Sequence, residues 1–350
     1  MGFEVRWSVI IVFWSDVRQL LQCLEVLVQA LPVSSEVIVV DNRGESALAV
    51  LVDQFPMLRV VGAGRNGGYG GGSNFGARCA VGDFLFVMNP DVIVEKDLFS
   101  LLEEALLRLP RYSAVSPLLL LPDGRVNTAG NHVSYTGLTF CRELGERDRR
   151  RGLELVPAIS GAAFAIWRED YYAVGGFDEA FFMYLEDTEL SLRLFAYGGT
   201  CWCLWGARAI HDYRLNLTPS KLRELETNRW QMLLKHFSLR LLFCLLPGLV
   251  VAEAGSLFFA MLRGKAFLRA KMESYGRLYE LLPGIVRRHR DFFARRTVSE
   301  VIVLRRLSPR VLLRQQLGDR WGKVAEAVIT PLLSVSYFVT VKVLAWRTIK

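Results

Sequence analysis

Nothing in these 350 residues marks a disulfide framework. The six cysteines are scattered, and only Cys201 and Cys203 stand close together. Two thiols at that spacing on a strand share a face, yet no second Cys/His pair completes a zinc set. Reduced thiols in a cytosolic compartment are therefore expected. Internal repeats and low-complexity segments are missing too, which excludes solenoids and compositional tails. No secretory leader is expected: Trp7 to Phe13 is apolar, but too short to span a bilayer and followed at once by Ser15 and Asp16. Hydrophobic residues at 52% against 22% charged exclude disorder and allow a sizeable core. The positive mean hydropathy is high for a soluble enzyme and points to some surface that faces lipid.

The net charge of +8 sits in one place. Residues 263–323 carry 16 Lys/Arg against 5 Asp/Glu, a net of +11 that leaves −3 for the rest of the chain. Such a segment suits an anionic membrane surface or nucleic acid. Its flanks are apolar, which favours the membrane, so no nucleic acid is expected.

The amino-terminal half alternates strands and helices. Trp7–Phe13 reads as a buried strand, with Ser15 or Asp16 able to cap the helix that follows. Residues 36–42 and 58–61 read as further strands, and residues 46–55 and 97–109 as helices. Short turns between them imply βαβ units and a parallel sheet. Phe84 to Met88 is apolar without alternation, as in a strand covered on both faces, and Pro90 cannot continue it. After Tyr112 the texture becomes irregular β structure. Residues 143–151 form a charged loop expected to be mobile. Residues 159–166 read as a strand whose small residues admit close approach of another group.

Five polar positions fall where open α/β sheets bind ligands, beyond the strands' carboxyl ends or at helix starts. Asp41 can accept from a ribose hydroxyl or a base N–H, or be a turn residue. The stretch from Asn66 to Gly76 is glycine-rich and opens a helix. Glycines let backbone approach a diphosphate, and the absence of lysine excludes the P-loop. Asn89, Pro90 and Asp91 supply one hard oxygen ligand or a solvated turn. Asp187 suits a general base, or a first-turn acid with Glu189. His211 is a structural histidine or a metal ligand.

These stretches stand in order: Val9 to Phe13, Val37 to Asn42, Asn66 to Gly76, Phe86 to Val92, Ser160 to Phe164 and Gly175 to Asp187. Together they resemble family 2 glycosyltransferases of the GT-A fold, in the branch of rhamnosyltransferases of cell-surface polysaccharide synthesis. The resemblance covers roughly residues 5–237. It implies an α/β fold, a Rossmann-like mostly parallel sheet flanked by helices, with a C-terminal helical membrane-associated region. It divides the chain into a glycosyltransferase domain at 1–237, with a nucleotide-sugar half (1–110) and an acceptor half (111–237), and a basic helical region at 238–350.

By the same resemblance, Asp187 is the catalytic base of an inverting transfer. Asp41 contacts the nucleotide, while Asn66, Gly68, Tyr69, Gly70 and Asn89 line the sugar-nucleotide pocket. Asp91 and His211 hold Mg2+ or Mn2+. The donor is a nucleotide-diphosphate sugar, with rhamnose or another deoxysugar or hexose expected, and the acceptor a glycan or lipid-linked hydroxyl. Phe13–Trp14 departs from the Asn-Tyr or Asn-Trp pair more usual in the family. A catalytically silent sugar-nucleotide-binding or scaffold protein is the alternative, against which intact Asp91 and Asp187 speak.

Residues 241–262 contain Glu253 as their only formal charge, and residues 324–346 form a second apolar run interrupted by Pro331. Two spans would carry the +11 segment across the membrane, against the positive-inside tendency. Runs lying in the interface, or dipping in and returning, keep it at the cytoplasmic face beside anionic headgroups.

Overall fold

The computed structural model describes residues 7–43, 48, 51–149, 152–212 and 216–347. Its chain divides into two compact units, residues 1–131 with 141–213, and residues 132–140 with 214–350.

The first unit opens with β1 (Trp7–Phe13), buried at every position. Asp16 caps α1 (Val17–Ala30), its carboxylate accepting from the N–H groups of Arg18 and Gln19. Leu20, Cys23, Leu24 and Leu27 form the buried stripe of that helix, at the spacing a 3.6-residue turn requires. There follow β2 (Glu36–Asp41), β3 (Leu58–Gly62), α2 (Gly68–Cys79), β4 (Phe84–Met88), β5 (Val92–Val94) and α3 (Leu98–Arg108). The helix expected over 46–55 lies partly outside the described residues. The chain continues through β6 (Ser113–Leu120), β7 (Val126–Thr128), β8 (Asn131–Val133), β9 (Thr139–Cys141), β10 (Leu153–Leu155), β11 (Ala163–Trp167), α4 (Arg168–Ala173), α5 (Glu186–Ala196) and β12 (Thr200–His211).

Ten strands form one sheet in the order β10-β12-β6-β11-β4-β1-β2-β3, with β5 on β12 and β7 on β6. The sheet is mixed, with its longest pairings parallel. β4, β1, β2 and β3 are mutually parallel, but β11 runs antiparallel to both β4 and β6, and β10 and β5 run antiparallel to β12. Buried apolar runs of this length look alike in either orientation. The parallel register pairs Phe13 with Asp41 and Ile11 with Met88, so β1, β2 and β4 end along one edge. Antiparallel pairing of His211 with Val92 brings the end of β12 to the turn after β4.

Two local expectations change. The glycine-rich stretch is not a loop for most of its length: Gly68, Gly70, Gly71, Gly72 and Gly76 all lie in α2. Their smallness is used against the sheet. A methyl on Gly72 would stand 2.7 Å from Val12 Cγ1, and one on Gly76 2.5 Å from Ile10 Cγ2 and 2.9 Å from Val40 Cγ2. Ile10 and Val40 are fully buried and cannot yield. Gly76→Ala is expected to cost ~1–3 kcal/mol by overpacking, more than the ~1 kcal/mol gained in helix propensity. A lowered urea midpoint checks this, and a raised one would contradict it. The charged loop at 143–149 is tied down rather than mobile. Val126 N–H donates to the Glu146 carbonyl, Gly145 N–H donates to the Val126 carbonyl, and Arg208 pairs with Asp148 at 2.7 Å.

The second unit holds α6 (Pro219–His236), α7 (Leu239–Leu262), α8 (Lys265–Arg295), α9 (Glu300–Leu304) and α10 (Arg314–Arg347). A buried charge network ties helix α6 to α7 and α8 within this unit. Arg229 is 1% exposed and pairs with Glu226 at 2.7 Å and with Glu253, while the buried ammonium of Lys271 meets both carboxylates. Burial would raise the Glu226 carboxyl, but Arg229 and Lys271 hold it below its ordinary value. So the one charge in the first apolar run faces protein. Helices α7 and α10 meet through Gly248 and Thr340, whose partners are the Ser336 hydroxyl and the Cys244 carbonyl. Their other faces expose Phe243 (76%), Val250 (57%), Phe258 (58%), Val328 (61%) and Val335 (65%). Leu239–Leu262 and Arg314–Leu344 are long and apolar enough to cross a membrane.

Candidate active site

The strand ends of the first unit carry the expected polar residues. Asp41 is fully buried at the end of β2. Its Oδ1 accepts from the Arg43 N–H at 3.0 Å, while Oδ2 has no hydrogen-bond partner among the described residues. The Arg43 guanidinium lies 4.7 Å from the centre of the Phe13 ring at the end of β1. Asn42, which sequence reasoning passed over, organises the neighbouring loop. Its amide donates to Asn66 Oδ1 and to the Gly68 carbonyl, both at 3.0 Å, and its oxygen accepts from Gly67 N–H.

Gly68 has φ +70°, and a Cβ there would stand 2.0 Å from the Phe182 carbonyl oxygen, so only glycine fits. That same carbonyl accepts from Tyr69 N–H at 2.8 Å. The Tyr69 hydroxyl donates to the Gly161 carbonyl. Gly70 is buried against Phe177, so of the glycines expected to face a ligand this one packs on protein.

Asp187 lies in the first turn of α5. Its Oδ2 accepts from Gly161 N–H at 2.7 Å and from Asn131 Nδ2 at 3.0 Å, and its Oδ1 from Thr188 N–H at 2.6 Å and the Thr188 hydroxyl at 3.2 Å. Gly161 sits in the turn before β11, not inside a strand, and what comes close to it is Asp187. A Cβ there would lie 3.1 Å from the Asp187 carboxylate. Burial raises the Asp187 carboxyl above its ordinary value, and these donors oppose that rise by favouring the charge. Beside it, Glu186 is 7% exposed, and its Oε2 has no hydrogen-bond partner in the chain. Burial, then the Asp187 charge, push its carboxyl from 4.5 up to about 8.

The Glu186 shift makes stability depend on pH. The folded chain holds the Glu186 proton to about pH 8, while the unfolded chain releases it near 4.5. The folded state thus binds more protons between these values, so this contribution is full below 4.5 and is lost as pH rises through 8. Glu186→Gln carries no charge to bury. Its Tm relative to the wild type is expected to rise by a few degrees between pH 6 and pH 9. Parallel Tm curves would contradict this.

Asp91 follows β4 in the turn before β5, where Asn89 N–H donates to the Ala162 carbonyl at 2.9 Å. Asp91 Oδ1 is buried without a hydrogen-bond partner among the described residues, and Oδ2 lies 3.5 Å from His211 Nε2. The structure thus brings together the two residues expected to hold a metal. Among the described residues no group of three or more His, Cys, Asp or Glu side chains could cage an ion. One carboxylate and one imidazole, with a buried oxygen still unpartnered, fit a divalent ion that takes its remaining ligands from phosphate and water. Asp91 also shares surroundings with the α5 acids. Burial, then the charges of Glu186 and Asp187, and more weakly Asp91, hold the Tyr69 hydroxyl well above its ordinary pKa.

The sequence profile of glycosyl transferase family 2 matches residues 8–175. N-acetylglucosaminyl-diphospho-decaprenol L-rhamnosyltransferase of Mycobacterium tuberculosis is 31% identical over 189 aligned residues, and the match covers 47% of this chain. The chain spans 61% of that curated relative. Among solved structures, S. aureus TarS 1-349 in complex with UDP-GlcNAc matches at a TM-score of 0.54 and 14% identity, covering 95% of this chain and 91% of that one. Mannosyltransferase PcManGT from Pyrobaculum calidifontis, in complex with GDP-Man and Mn2+, matches at 0.50 and 14%, covering 97% and 90%. At such identities these two structures carry the fold alone, a GT-A fold with a mixed sheet flanked by helices. Over residues 8–175 the chain is similar to glycosyl transferase family 2.

Proposed function

We propose that this chain is an inverting glycosyltransferase that moves a sugar from a nucleotide-diphosphate donor to a hydroxyl of a glycan or lipid-linked acceptor in cell-surface polysaccharide synthesis. The observation that carries the reading is the convergence of two unlike acid sites around Tyr69: Asp91 with His211, and Asp187 held by Gly161, Asn131 and Thr188. Environments that differ this much suit separate roles.

Asp187 takes the proton of the acceptor hydroxyl, whose oxygen attacks the anomeric carbon as the bond to the diphosphate breaks. Four donors fix the carboxylate for that step and stop it rotating away. Asp41 Oδ2, buried and without a partner, accepts from the nucleotide's base or ribose. Asn66, Gly68, Tyr69, Gly70 and Asn89 form the wall of the sugar-nucleotide pocket, with Gly70 acting through packing. Asp91 and His211 would hold Mg2+ or Mn2+, which when bound supplies positive charge to the leaving diphosphate. PcManGT, on the same fold, was crystallised with Mn2+.

Rhamnose is the donor sugar favoured, on the rhamnosyltransferase relative. That relative's name also supports a lipid-linked acceptor. The exposed apolar stripes of α7 and α10, flanked by Arg240, Arg263, Lys265, Arg320 and Lys323, support attachment at the cytoplasmic membrane face through the interface.

A screen of nucleotide sugars, scoring diphosphate release with and without Mn2+ or Mg2+, tests the activity. Release from one donor class, dependent on acceptor and metal, is expected. Specific donor binding with no transfer to any glycan or polyprenyl-linked acceptor would favour a silent binding protein. Flotation with anionic against neutral vesicles tests attachment. Anionic preference and release by alkaline carbonate are expected, and resistance to carbonate would argue for spans.

A further inference from the structure

We propose that Asn127 is a positioning residue for metal binding, fixing the His211 imidazole so that Nε2 turns its lone pair toward a divalent cation shared with Asp91. The inference rests on the reading of Asp91 and His211 as metal ligands.

Asn127 lies on β7 and is 1% exposed. Its Oδ1 stands 3.0 Å from His211 Nδ1. An amide oxygen only accepts, so in the neutral imidazole the proton belongs on Nδ1, and Nε2 is an acceptor. That nitrogen is 3.5 Å from Asp91 Oδ2, beyond the 2.7–3.2 Å of a good N–H···O bond. An imidazole lone pair set near a carboxylate is repulsive unless a cation joins them. Asp91 Oδ1, buried and unpartnered, points the same way.

The other half of the amide gives an independent reason. Asn127 Nδ2 is buried and has no hydrogen-bond partner among the described residues. A buried donor without a partner is destabilising, whereas leucine fills a similar volume with no such penalty. Asparagine at this place therefore works against the stability of the fold. What it supplies in return is the fixed tautomer and ring angle that metal-binding histidines take from their outer partners.

The test uses the full chain with Mn2+ as the metal and UDP, GDP and dTDP in turn as the nucleotide. Electron paramagnetic resonance reads the Mn2+ affinity, and electron spin echo modulation reads a directly bound 14N. The wild type is expected to bind Mn2+ in the presence of one nucleotide with 14N modulation. In Asn127→Leu the Kd for Mn2+ is expected to rise ~10–100-fold, with the modulation weakened. Asn127→Asp, whose carboxylate still accepts from Nδ1–H, should retain both. Unchanged affinity and modulation in Asn127→Leu would overturn the proposal and leave the metal reading standing. Should that variant not fold, the wild type still decides, because bound Mn2+ without 14N modulation also overturns it. No Mn2+ binding by the wild type with any nucleotide would remove the Asp91 reading and this inference together.

Discussion

Asp187→Asn is expected to lower turnover by ~10²–10⁴-fold, the range for loss of a general base. The substitution keeps size and shape but removes the proton acceptor. It also turns one of the two carboxylate oxygens into a donor. Gly161 N–H, Asn131 Nδ2, Thr188 N–H and the Thr188 hydroxyl all point at these oxygens, so at least one of them loses its acceptor. The stability cost of that mismatch is ~1–3 kcal/mol, small beside the kinetic effect, and a melting curve separates the two. Donor affinity should hold, because the proposed role lies with the acceptor. The wild-type rate should climb with pH as Asp187 loses its proton, and burial sets that limb above the range of an ordinary aspartate. In the variant the limb should vanish. Single-turnover rates near those of the wild type would remove Asp187 from the role.

Asp91→Ala is expected to reduce metal-dependent turnover by ~10²–10⁴-fold, because a cation at a departing diphosphate supplies several kcal/mol of charge stabilisation. The effect on stability should have the opposite sign or none. Asp91 keeps one carboxylate oxygen buried with no hydrogen-bond partner, an arrangement that costs free energy until a ligand arrives. Without metal, the variant should melt no lower than the wild type. With Mn2+ and nucleotide, the wild type should gain stability by ligand linkage and the variant should not. A variant that melts much lower without metal would mark Asp91 as a structural residue.

The local elements were legible because they rest on local chemistry. Asp16 before Val17, the pattern of Leu20, Leu24 and Leu27, and the unbroken apolar run of Phe84 to Met88 need no distant partner to be read. The parallel half of the sheet was legible as well, since strand and helix alternate there. The antiparallel entry of β11 was not. Buried strands in either orientation present the same residues, and only the route between them differs.

The glycines of α2 misled for a physical reason. Composition shows that backbone comes close to something, but not to what, and here much of the answer is Val12, Ile10 and Phe177. Among the polar residues, strand-end aspartates announce themselves by position. Asn127 and Asn131 do not, because their partners His211 and Asp187 stand 84 and 56 residues away. Nor does the sequence announce the network of Arg229, Glu226 and Lys271, which becomes buried only after α6 and α8 pack.

The contact of α2 with the sheet is made by hydrogen atoms where other helices use side chains, and this bears on how the protein tolerates change. A random-substitution library would find Gly72 and Gly76 as unforgiving as Asp91 or Asp187, although neither of the two handles a proton or a phosphate. Read as a map of chemistry, that record would draw the active site too large and centre it on a helix. Scored for soluble protein and for turnover separately, it would divide: the glycines lost from the first measure, Asp91 only from the second.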